Sequence, residues 1–127
     1  MNTNYVHTIG DSSLDNIYWM LSDDGKNAEE AKKNSVEGQL QKTLGENYIV
    51  ESHAFDGFTT ASLLKGDKVG QVLPSKEKSK KDAYLKEKNI TAKTPKVNPL
   101  DHLKASIDAH PKSSHFVIIS VGGNDFR

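Results

Sequence analysis

Apolar and polar residues fall along the chain in three short β-type runs with helical stretches between them. Tyr5-Val6-His7-Thr8-Ile9 is β-branched and aromatic and stops at Gly10, which predicts a strand. Leu14, Ile17 and Tyr18 then have the spacing of a first helical turn, and Asp23 to Asn27 reads as a loop. Val36, Leu40 and Leu44 recur every fourth residue, so one helix is predicted from Ala28 to Leu44, with Gly45 as its stop. Tyr48 to Ser52 reads as a second strand running on towards Phe55 and broken by Asp56-Gly57. Thr59 to Leu64 begins a helix with a threonine near its N-cap. A proline-bounded helix spans Leu100 to Ala109. His115 to Val121 is the strongest strand, an almost unbroken apolar run of the kind covered on both faces in a parallel sheet, and it stops at Gly122-Gly123-Asn124-Asp125.

Strand, helix, strand, helix, strand implies an α/β layer built on a parallel sheet. At 127 residues the chain is one domain or part of one. With 35% hydrophobic and 27% charged residues and a mean hydropathy of −0.65, its core is modest. Seventeen basic and 17 acidic residues cancel, so nothing global points to a nucleic-acid partner. Between residues 75 and 96, however, eight lysines face three acids, so a basic segment sits on an acidic body. Residues 66–98 are expected to form an insertion, a lid or a mobile loop, solvated along the lysine run. As a functional alternative, the run is a patch for an anionic substrate or membrane surface. There is no cysteine, no recognisable signal peptide and no apolar stretch of membrane-spanning length. A cytoplasmic location without an integral membrane segment is the default expectation.

The turn GDSSLDN, residues 10–16, collects residues that punctuate chains everywhere. What lifts it above a generic turn is that each predicted strand ends in a small polar cluster: GDSS, then DGFTT, then GGND. In open parallel sheets ligands bind outside the carboxyl ends of the strands, so three such ends side by side would form one site. GDSSLDN together with Gly57 and GGND resembles the first three sequence blocks of the SGNH, or GDSL-type, serine hydrolases, from Tyr5 to Asp125 with the lysine-rich stretch outside the likeness.

The resemblance implies a flavodoxin-like three-layer α/β/α sandwich, the SGNH hydrolase fold, of which residues 1–127 are the N-terminal portion. It implies ester hydrolysis through an acyl-serine, with no metal or organic cofactor, on a small-molecule, lipid or carbohydrate ester. Ser12 would be the nucleophile. The oxyanion donors would be the backbone N–H groups of Ser12 and Gly57 and the side-chain amide of Asn124. Asp15 would orient the turn and Ser13 would be a bystander. The family takes its base from an Asp-x-x-His block, which this sequence lacks; Asp101-His102 and Asp108-Ala109-His110 have the wrong spacing. The base is therefore expected from the remainder of the hydrolase domain, continued in the same gene product or carried on a second chain. The implied strand order, second-first-third, would leave the apolar third strand as a bare edge for that partner to cover.

Two non-enzymatic readings stand beside this: an α/β domain that binds a ligand or partner at the same strand ends, and an interaction module working through the lysine run. The five histidines read as scattered singly, which is poor zinc spacing. His7 reads as structural, His53 as bordering the site, His110 as a helix C-terminal residue, and His102 and His115 as surface or strand-edge residues. Tyr18 and Trp19 are expected to pack beside the turn.

Overall fold

The computed structural model describes residues 3–69, 78–90 and 96–122. In chain order its elements are β1 (Asn4–Gly10), α1 (Ile17–Met20), α2 (Ala28–Asn34), α3 (Val36–Leu44), β2 (Tyr48–Ala54), α4 (Thr60–Lys65), β3 (Asp67–Lys68), α5 (Lys78–Glu87), β4 (Lys96–Val97), α6 (Pro99–Ala109) and β5 (Ser114–Ser120). The α/β class read from the alternation holds. Strand β1 lies between β2 and β5 in a three-stranded parallel sheet, with His7 opposite Glu51 on one side and Val117 on the other. Strands β3 and β4 form a separate antiparallel pair.

The chain leaves β1 in one direction to reach β2, then crosses back over β1 to reach β5. Right-handed crossovers in opposite directions place their helices on opposite faces of a sheet. The contacts agree. Val50 lines a cavity with Gly38 and Gln41 of α3, whereas Ser106 on α6 donates to the carboxylate of Glu51. Val50 and Glu51 alternate along β2 and therefore face opposite sides.

Sequence periodicity ran one helix through residues 28–44, but Ser35 splits it. Ser35 adopts extended backbone angles, is buried, donates its hydroxyl to the Lys32 carbonyl and accepts from the Gly38 N–H. A residue that satisfies the end of one helix and the start of the next outweighs a fourfold repeat of apolar side chains. Helix α4 starts as expected, with Thr59 and Ser62 forming a reciprocal capping box. In α6, Asn98 caps the helix and Pro99 occupies its first turn.

Within residues 66–98, of which 70–77 and 91–95 lie outside the described residues, the structure holds a helix that the sequence pattern did not show. This helix is α5, docked through Tyr84, which is fully buried in the main apolar cluster with Ile9, Ile17, Tyr18, Phe55 and Phe58. Tyr18 is buried as expected, but Trp19 is 63% exposed, its ring edge-on to Tyr18 and its indole N–H donating to the Asp56 carboxylate at 2.8 Å. Strand β5 carries the most apolar sequence of the sheet yet is an edge. Phe116 is 53% and Ile119 65% exposed, and Val117 and Ile118 are exposed as well. The expectation of a strand covered on both faces is thus not met among the described residues.

Candidate functional site at the strand ends

The site begins with Gly10. Its φ of 148° is one that side chains rarely adopt, and a Cβ there would collide with the Ser120 carbonyl oxygen of β5. Only glycine lets β1 and β5 close together at this end. The ladder then continues past the strands on both sides. Asp11 N–H donates to the Ser120 carbonyl at 3.1 Å, and Phe55 N–H donates to the Gly10 carbonyl at 3.1 Å. The turn after β1 is therefore held by both neighbours, where the strand order switches direction, the usual place for a ligand crevice in open parallel sheets.

Within the turn, the buried Asp11 carboxylate accepts from Ser13 N–H at 3.0 Å, and its carbonyl accepts from Leu14 and Asp15. This folds the backbone around Ser12 and leaves Ser12 partly exposed at the tip. Among the described residues, neither the Ser12 N–H nor its hydroxyl has a hydrogen-bond partner. The same holds for the N–H of Gly57, which sits with a φ of 87° in the turn after β2. Asn124 lies outside the described residues. Ser12 and Gly57 thus sit at the carboxyl ends of adjacent strands with N–H donors unpaired among the described residues.

Asp15 ties these turns together. One carboxylate oxygen accepts from the Tyr84 hydroxyl at 2.6 Å and from Asp56 N–H at 2.9 Å, and the other pairs with the Lys88 ammonium at 3.1 Å. Both charged side chains of the pair are almost wholly buried. Burial, followed by the Asp15 charge, pushes the Tyr84 hydroxyl far above its usual range, so it remains a donor. The residue immediately before Gly57 is thereby hung from the turn that presents Ser12. The orienting role expected of Asp15 matches this geometry, and Tyr84 and Lys88 are the supports that sequence reading missed.

The five histidines are not scattered. His7, His53 and His115 lie on one face of three adjacent strands, and His102 and His110 come from α6 and its C-terminal end above that face. His115 Nε2 lies 2.8 Å from the His110 carbonyl, His7 Nε2 2.9 Å from His115 Nδ1, and His53 Nε2 3.0 Å from His7 Nδ1. A carbonyl only accepts, so His115 donates from Nε2. For neutral rings this fixes each tautomer in turn, with His7 donating to His115 and His53 donating to His7. The clue in the sequence was Glu51-Ser52-His53, an alternation that puts two ligating side chains on one face of a strand.

Burial lowers the pKa of both inner rings, assisted for each by neighbouring imidazoles and opposed by Glu51; for His53 the value falls to about 4. His53 is also faced by His102 of α6 and by Lys88, and both lower its pKa further. The unfolded chain then binds protons that the folded one refuses, so the contribution of His53 is intact above about pH 6.5 and lost as pH falls towards 4. Stability should therefore decline as acid is added through this window. Glu37, raised by burial, acts in the opposite sense over its own window. Urea unfolding in EDTA-containing buffer at stepped pH should show the decline, and His53→Gln should flatten it. An unchanged slope in the variant would exclude His53 as the source.

Fold and site together define an α/β chain with a three-stranded parallel sheet in which the turns carrying Ser12 and Gly57 follow adjacent strands. Comparison with protein-family models, with curated proteins and with solved structures finds no match for this chain. No helix among the described residues is long and apolar enough to cross a membrane.

Proposed function

We propose that this chain is the N-terminal portion of an SGNH-type serine ester hydrolase and carries its nucleophile and oxyanion donors. The observation that supports the reading best is the placement of Ser12 and Gly57 at adjacent strand ends, each with an N–H unengaged among the described residues. Ser12 Oγ attacks the ester carbonyl, and the developing oxyanion is held by the two N–H groups and by the Asn124 amide. The alcohol then leaves with a proton, and water releases the acid from the acyl-serine. Among the described residues no imidazole is hydrogen-bonded to Ser12, and three of the five histidines are linked to one another on the sheet face. In this reading the base comes from polypeptide that completes the domain beside β5.

A fluorophosphonate probe tests this. Applied to the assembly of these 127 residues with the polypeptide that completes the sheet, it should leave one adduct, on the peptide carrying Ser12. An adduct elsewhere, or none from an assembly that hydrolyses p-nitrophenyl acetate, would remove Ser12 from the role and favour a ligand-binding crevice. Turnover by the 127 residues alone would make one of the five histidines the base.

A further inference from the structure

The sheet face under α6 carries a second set of groups that the hydrolase reading does not use. His7 Nδ1, His53 Nε2 and Glu51 Oε2 converge from two adjacent strands, 3.0, 3.8 and 3.9 Å apart. A triangle with those sides contains a point about 2.1 Å from all three corners, the bond length zinc takes to imidazole nitrogen and carboxylate oxygen. From this convergence we infer that His7, Glu51 and His53 form a binding site for a divalent transition-metal ion of the zinc class.

The chemistry of the set fits. Two neutral imidazoles and one carboxylate, with no thiolate available, suit zinc and its neighbours rather than calcium or magnesium. The metal takes the place of the proton shared by His7 and His53. Outer partners are already in position. His7 keeps its Nε2–H for His115, which is itself fixed by the His110 carbonyl, and Glu51 is held by the Ser106 hydroxyl. A ligating histidine whose other nitrogen donates to a fixed acceptor is the usual arrangement around bound zinc. Glu51 and His53 also line a cleft of about 310 Å³ beside β2, together with His102 and Lys88. That cleft gives an ion an entry path and leaves the fourth position to water. Three protein ligands with an open position are the pattern of zinc sites that can activate water or bind an anion.

The test uses the full 127-residue chain, stripped with EDTA and desalted, with stoichiometry counted per chain so that self-association does not enter. Cobalt(II) titration should give one equivalent with four-coordinate visible bands, displaced by one equivalent of zinc. His53→Gln and Glu51→Gln should each weaken zinc binding by about 100-fold, whereas exposed His102→Gln should change it by only a few-fold. His7 is too deeply buried to be replaced safely, so its part is read from X-ray absorption of the zinc-loaded chain, which should show two imidazoles at about 2.0–2.1 Å. Failure to take up either metal, equal affinity in His53→Gln, a greater loss in His102→Gln than in His53→Gln, or a zinc shell without two imidazoles would each overturn the assignment.

Discussion

Ser12→Ala is expected to lower ester turnover in the completed assembly by at least about 10⁴-fold while leaving its thermal unfolding unchanged. The fold tolerates the change because the Ser12 hydroxyl has no hydrogen-bond partner among the described residues, and the turn is shaped by Asp11 and Asp15 instead. The chemistry does not tolerate it, because alanine cannot form the acyl intermediate and leaves only the oxyanion donors. Hydrolysis of p-nitrophenyl acetate and the melting temperature should be measured on the same sample. A large residual rate with normal melting would move the nucleophile elsewhere, Ser13 being the next residue to replace. A lost rate with depressed melting would show that Ser12 supports the turn after all.

Asp15→Ala should produce the largest loss of stability of any single change near the site, about 3–5 kcal/mol. Removing one member of a buried ion pair strands the other charge in a medium that cannot solvate it. Here the variant would strand the Lys88 ammonium and leave the Tyr84 hydroxyl without its acceptor; Asp56 N–H would keep only a weaker contact with Tyr84 at 3.1 Å. A second substitution gives the claim a sharper form. Adding Lys88→Met should recover part of the loss, because the stranded charge goes with it. Denaturant midpoints for the two single variants and the double variant make a complete cycle. If Asp15→Ala costs under about 1 kcal/mol, or if the double variant is the sum of the singles, Asp15 is not the anchor described here.

The parts of this molecule that could be read from sequence are those whose signal is local. Three apolar runs ended by glycine and small polar residues marked the sheet, and Thr59 marked a helix start, because strand alternation and capping act over a few residues. What escaped depends on contacts between distant residues. The lysines of α5 hide its apolar contacts, and its buried residue, Tyr84, is held by an aspartate 69 positions earlier. The imidazole chain joins residues 46 and 108 positions apart, so it exists only once the strands are in register. Trp19 went the other way. An aromatic beside a buried tyrosine looked like core, but consecutive residues at the start of a helix point in different directions, and only one of the two could face inward.

The bare strand sets terms for whatever covers it. Phe116 and Ile118 project from one face of β5 and Val117 and Ile119 from the other, so the exposed apolar surface is two-sided. A lone added strand would satisfy the backbone and leave both faces wet. Two copies meeting edge to edge about a twofold axis would pair antiparallel and meet the same difficulty. A strand that brings a helix for each face satisfies every one of these groups. Because Ser120, the last residue of β5, also receives the Asp11 N–H beside Ser12, the exposed surface of β5 adjoins the turn that carries Ser12. Under the proposed hydrolase reading, covering this edge and completing the site would be one event, so that activity would report assembly.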